Sequence, residues 1–248
     1  MLIERSAYAN RWRQVAPAAK GLFALGGFIA AFTARAPMAA IAVAMLITTT
    51  TLVGAGIPFG RYLRVATPAL FFLGISCLSL AFSLNLNNDA QALSFHLTPT
   101  GMQQVAEVSA RSLGALSALL FLVLTTPLID LIAMLRRLKT PEALLEIMVL
   151  SYRMLFVFSE AVHDTLTAQS ARLGYATPRL ALRSLGDLAA NLTLQVWQRA
   201  HALHVAAQSR NNDGPLRFLE PVFTNRRRDL AFAAVGGIAL VLLAWALS

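Results

Sequence analysis

The chain is short of charge. Asp, Glu, Lys and Arg make up 13% of its 248 residues, against roughly 25% in soluble domains. Lysine is nearly absent: Lys20 and Lys139 stand alone, and neither follows a glycine. No G-x-x-x-x-G-K-[ST] run occurs, which excludes a P-loop. Cysteine occurs once, at Cys77 inside an apolar run. No internal disulfide can form, and an inert buried thiol is expected. No nucleophile, base and orienting acid fall into a catalytic pattern, so an enzyme acting alone is not indicated. His96, His163, His201 and His204 are the only histidines. His201 and His204 share a helix face at i,i+3 but have no third ligand nearby, so they are read as surface or packing residues rather than a metal site.

What the chain does have is apolar length. It is 57% hydrophobic, with a mean hydropathy of +0.61. A membrane span needs about 20 mostly apolar residues. Five stretches qualify: about 15–33, with Lys20 snorkelling toward the headgroups, a run within 36–60, a run within 65–88, about 105–126, and 230–247. The "ARA" at 34–36 mimics a signal-peptidase site, but Pro37 would follow the cut, so the first span is read as uncleaved.

The remaining charge is basic, 21 Lys and Arg against 12 Asp and Glu. In this apolar setting it reads as cytoplasmic loops and not as a nucleic-acid surface. The N-terminus carries Arg5, Arg11, Arg13 and Lys20, and the next connections carry Arg35, then Arg61 and Arg64. The connection 85–100 carries none, the stretch 127–229 carries thirteen, and the tail carries none. That alternation predicts five spans with the N-terminus in the cytoplasm and the C-terminus outside. The expected organisation is a membrane domain of four spans (1–126), a cytoplasmic helical domain (127–229) and a fifth span (230–248). The apolar run 143–159 contains Glu146 and Arg153, costly at a bilayer centre, and is read as a cytoplasmic helix. Glu107 and Arg111, spaced i,i+4, are read as a local ion pair. "GIPFG" (56–60) is read as a turn and not as a helix-dimer face.

Within 127–229 no stretch alternates at period two, so no sheet is expected. A short helix over 127–138 is followed by "TPEALLE", in which Thr140 can cap, Pro141 opens the first turn and Glu142 faces the positive end of the dipole. That helix should stop near Gly174. "ATPRLALRSL" starts the next one, with Thr177 as cap. Leu185, Leu188, Leu192, Val196, Leu203 and Ala207 make an apolar stripe at helical spacing along it, and it should end near Arg210. Both helices therefore finish on a similar phrase, "LTAQSARLGYA" (166–176) and "HVAAQSRNNDG" (204–214). Basic residues at helix C-termini complement the dipole. The repetition also fits two copies of one partner, because arginines at opposite ends of long helices cannot share a site.

These residues resemble a known family, the transmembrane coupling (T) component of energy-coupling factor (ECF) transporters, in particular the cobalt-type CbiQ proteins. The segment 124–174 carries most of the resemblance, through its Thr-Thr-Pro start, its "LRRLKTP" step, the pair Tyr152-Arg153 and the first arginine phrase. "AAQSRNNDG" and the opening "YANRWRQVAPAAKGLFAL" are also similar. The resemblance implies an all-α integral membrane protein with about five transmembrane helices and a helical coupling domain inserted before the last. It implies a bacterial inner-membrane, non-catalytic subunit of an ATP-driven importer that works with two ATP-binding cassette ATPases and a substrate-binding membrane (S) subunit. ATP would be bound by the partners, with no cofactor in this chain. Ala171, Arg172 and Leu173, and Ser209, Arg210 and Asn211, are the positions matching the family's two ATPase-docking motifs. Leu173 and Asn211 stand where a small residue is usual, and Ser209 replaces Ala. Cobalt is the cargo implied, with nickel or a vitamin as alternatives. A self-sufficient secondary transporter and a membrane anchor for a soluble partner remain the other readings.

Overall fold

A computed structural model describes residues 2–83, 96–97, 99–211 and 226–247. The chain divides into two compact units, Met1–Met134 with Glu220–Ser248, and Leu135–Leu219.

The first unit begins with α1 (Leu2–Ala9), α2 (Pro17–Thr33) and α3 (Pro37–Thr49), which runs on into a π-helical turn, Thr50–Gly54. Then come α4 (Phe59–Ala81), a ladder of two-residue antiparallel strands (β1, Phe82–Ser83; β2, His96–Leu97) and α5 (Pro99–Thr125). α6 (Leu128–Arg137) starts here, with Asp130 and Ile132 buried, and α9 (Arg226–Ala246) completes the unit. Proline at the first turn opens α2 and α3, where its missing N–H costs nothing.

Among the described residues four segments are long and apolar enough to cross a membrane: 37–54, 59–80, 103–125 and 227–246. α2 is apolar but has only 17 residues, roughly 26 Å of helix against a hydrocarbon core of about 30 Å. Lys20 departs from expectation. It does not snorkel but is 3% exposed, with Nζ donating to the Thr125 carbonyl at 2.9 Å. An ammonium this close to a helix C-terminus meets carbonyls that have no partner of their own.

Small residues let these helices approach closely. A Cβ on Gly26 would lie 2.7 Å from the Gly237 Cα, pinning α2 to α9, and one on Gly114 would lie 2.6 Å from the Ala31 Cβ, pinning α5 to α2. Phe121 of α5 takes Trp12 and Phe23 edge-on, at 5.8 and 5.1 Å between centroids. α4 touches α5 through Tyr62, Ala66, Leu120 and Leu124, while Phe71, Phe72, Ile75 and Leu78 are exposed. That surface suits lipid or a membrane partner.

The described helix α5 starts at Pro99, earlier than hydropathy alone places it, and α4 ends at Ala81. Most of the connection 85–100 lies outside the described residues, as do 212–215 at the end of the second phrase. Gly56 has φ +71° in the turn before α4, as the "GIPFG" reading expects, but Phe59 and Gly60 already belong to α4. Glu107 and Arg111 form an exposed i,i+4 pair at 3.9 Å.

The second unit is built on α7 (Glu142–Ala171) and α8 (Pro178–Ser209), each roughly 45–50 Å long. Among its described residues there is no strand. Thr177 caps α8, its hydroxyl accepting from the Leu180 N–H at 3.3 Å. Thr140 does not cap α7. Its hydroxyl donates instead to the Leu135 carbonyl at 2.8 Å and closes the end of α6, leaving Pro141 at the N-cap position with no side-chain acceptor. The stripe on α8 is only half covered: Leu188, Leu192 and Ala207 are partly buried, whereas Leu185, Val196 and Leu203 are exposed.

Candidate functional site

The ends of α7 and α8 have the same construction. Helix termini leave backbone carbonyls without partners, and a residue in the left-handed region can turn the chain back to satisfy them. Arg172 is the C-cap of α7 (φ −93°, ψ 14°) and Arg210 that of α8 (φ −98°, ψ 10°). The next residue is left-handed in each, Leu173 at φ 59° and Asn211 at φ 51°. The Leu173 N–H reaches the Ser170 carbonyl at 3.0 Å and the Asn211 N–H reaches that of Gln208 at 3.0 Å. Lys139, at φ 60° after α6, repeats the device. Gly174 is therefore not the left-handed residue that stops α7. It follows that residue, and its N–H closes on the Gln169 carbonyl at 2.9 Å.

Aligned on these caps, the two arginines superpose but the letters Ala-Gln-Ser do not. Gln169 lies three residues before Arg172, and Gln208 two before Arg210. One residue is about 100° of helix rotation, so the glutamines face different ways. Gln169 is spent internally: its Nε2 donates to the Ser184 carbonyl at 2.9 Å, and its Oε1 accepts from the Tyr175 hydroxyl at 2.6 Å. Ser184, buried on α8, returns a bond to the Gly174 carbonyl at 2.9 Å. A Cβ on Gly174 would fall 2.6 Å from the Ser184 Oγ and 2.9 Å from the Gln169 carbonyl oxygen. The tip carrying Arg172 is thus locked.

Ala171, Arg172, Leu173, Ser209, Arg210 and Asn211 are all exposed, Leu173 at 72%. Among the described residues neither arginine has an acidic partner within ion-pair distance. Arg172 sits beside the first turns of α8, through Gly174 and Ser184. Arg210 lies 26 residues beyond Ser184, which is on the order of 40 Å along the helix. The structure does not bring the two triplets together. Arg210 also borders a groove of about 1190 Å³ between α7 and α8, whose walls include Glu146, Met154, Phe158, Leu203 and His204. Neither the Gln169–Ser184 lock nor this groove follows from sequence periodicity, since both depend on how α8 folds back along α7. No three His, Cys, Asp or Glu side chains gather as metal ligands among the described residues.

The CbiQ model, described as cobalt transport protein, matches residues 9–218. The chain belongs to the CbiQ cobalt transport protein family. It is 34% identical to the cobalt transport protein CbiQ of Rhodobacter capsulatus, over 98% of this chain and 94% of that one. It is 30% identical to the CbiQ of Salmonella typhimurium, over 79% and 90% of the two chains. It is also 30% identical to a putative fused cobalt transport protein CbiMQ of Methanocorpusculum labreanum, over 86% of this chain and 37% of that longer protein. The chain is thus a multi-pass membrane component of cobalt transport.

Proposed function

We propose that the chain is the coupling subunit of an ECF-type cobalt importer and that it hydrolyses nothing itself. Its two arginine caps each dock on one of two ATPase subunits, and ATP-driven movement of those subunits is passed to a substrate-binding membrane subunit. The observation that carries the reading is the duplicated cap. Two exposed arginines, held in one backbone geometry at opposite ends of α8, suit two identical acidic grooves and are too far apart for one. The guanidinium fork pairs a carboxylate through two parallel hydrogen bonds, which a lysine cannot imitate. The fused CbiMQ relative supports a membrane partner, because in it a CbiQ portion is covalently joined to more of the transport machinery. The basic alternation along the sequence supports an inner-membrane protein with its N-terminus and second unit in the cytoplasm and its C-terminus outside.

The test replaces Arg172 and Arg210 with Ala, singly and together, in cells that carry the neighbouring ATPase and membrane subunits. Removing one member of a desolvated interfacial charge pair costs about 2–5 kcal/mol. Each single variant should therefore retain less ATPase on purification, and the double variant almost none, with cobalt uptake lost in parallel. Undiminished ATPase binding and uptake in the double variant would overturn the reading.

A further inference from the structure

Residues 10–20 make contacts out of proportion to their length. Asn10 Nδ2 donates to the Thr125 carbonyl at 2.9 Å, the acceptor that Lys20 also uses. The Arg11 N–H donates to the Ala55 carbonyl at 3.1 Å. Trp12 lies against Gly54, where a Cβ would sit 2.7 Å from its ring, and edge-on to Phe121. Arg13 stacks on Tyr8 and bonds Asp130 at 2.8 Å. The Ala16 N–H donates to Asp229 Oδ2 at 3.2 Å. One short segment thereby joins the end of the π-turn after α3, the end of α5, the start of α6 and the first turn of α9.

The placement of the two acids matters. Asp130 lies where the chain leaves the spans for the second unit, and Asp229 lies where it returns. They are about a hundred residues apart in sequence, yet Arg13 and Ala16, three residues apart, hold both. Asp130 and Lys20 are each 3% exposed, and Lys20 lies in the field of Asp130, Asp229 and Arg13. Arg13 pairs directly with Asp130, whereas Lys20 is bonded to the Thr125 carbonyl within the field of the two acids. In the Arg13–Asp130 pair only the acid is buried; such a pair is a weak source of net stability but a strong constraint on geometry, since separating its members strands the buried charge. Polar links and the packing of Trp12 together fix this segment, and beside it lies a cavity of about 290 Å³, walled by Trp12, Lys20, Phe23, Phe121, Asp229 and Phe232.

We propose that residues 10–20 are a clasp whose positioning residues, Arg13 and Lys20 with Asp130 and Asp229, make the departure and return of the second unit move as one with α2. The inference rests on the coupling function above. A push arriving through α6 alone could be absorbed by bending after Thr125. With both junctions held to the start of α2, it is delivered to α2, and from there to α9 and α5, which pack on it through Gly26–Gly237 and Ala31–Gly114. Without the clasp, the ATPases would still bind and turn over, but their motion would be lost at the junctions.

The experiment uses the complete transporter in vesicles, with ATP hydrolysis and cobalt(II) uptake measured on the same preparation for Arg13→Gln, Asp130→Asn and Arg13→Lys. In the first two, uptake per ATP should fall roughly 5-fold or more, the smallest usual size of a coupling between sites, while hydrolysis and subunit composition are retained. Arg13→Lys, which keeps the charge, should restore most of the ratio. Uptake and hydrolysis falling together with loss of the complex would reduce the clasp to a folding element and overturn the proposal, as would an unchanged ratio. If the ATPases fail to bind the parent chain at all, the coupling function itself falls. If they bind through Arg172 and Arg210 but the clasp variants stay coupled, only the clasp is refuted.

Discussion

At the scale of single residues, the tip of α7 holds a leucine where the backbone favours glycine. A left-handed conformation costs a non-glycine residue roughly 1–2 kcal/mol, and Leu173 adopts it while 72% exposed. The side chain gains little from burial in this chain alone, which fits a contact made only in a complex. Leu173→Gly should raise the thermal stability of the purified protein by about 0.5–1 kcal/mol while weakening ATPase retention. Increases in both stability and binding would remove any docking role for the leucine. Gly174→Ala should do the opposite to the fold, costing about 1–3 kcal/mol, because its methyl would meet the Gln169 backbone carbonyl and Ser184. Limited proteolysis near the tip reports both. Lys20→Met keeps the length of the side chain but removes a cation from beside Asp130 and Asp229 and a donor from Thr125. Losing a buried hydrogen bond from a charged donor costs about 1.5–3 kcal/mol, read as a lower unfolding midpoint in detergent. That α7 stops near Gly174 was visible in the sequence. That Leu173 carries the left-handed turn was not, because leucine gives no turn signal.

At the scale of elements, the repeated phrase separates into two parts. Its arginines are equivalent, as both are C-caps followed by a left-handed residue. Its glutamines are not, because one phrase has an extra alanine before the arginine. Sequence letters show repetition, but helix phase decides which repeated letters share a direction. The same distinction explains α8, where a stripe at helical spacing was legible while its burial was not. Periodicity says that one face is apolar, not what covers it. The spans illustrate a further limit. Hydropathy finds α2, but its close approach to α9 depends on Gly26 meeting Gly237. Gly26→Leu should force the two helices apart and lower the amount of folded protein in the membrane, whereas Gly21→Leu, at a position with open space around it, should leave that amount nearly unchanged. Equal levels for both variants would show that the α2–α9 contact does not hold this unit together.

At the scale of the whole molecule, the proposed five-span topology predicts that reporters fused to the two termini lie on opposite sides of the membrane. Both on the same side would remove one crossing, with the short α2 the first candidate. The sequence by itself determined that this is an all-helical membrane protein with a basic helical insert before its last span. Those properties are sums over many residues, and composition, span length and charge alternation survive local uncertainty. It also marked Arg172 and Arg210, because helix ends leave signals in the adjacent letters. Only the tertiary structure decided that Lys20 turns inward to a carbonyl, that Thr140 closes α6 instead of opening α7, and that Gln169 locks the tip through Ser184. It also decided that Arg13 and Ala16 hold Asp130 and Asp229 at one place. Each of these joins residues distant in sequence or chooses between two nearby acceptors, and such choices depend on which surfaces the packed helices bring within the 3 Å reach of a hydrogen bond.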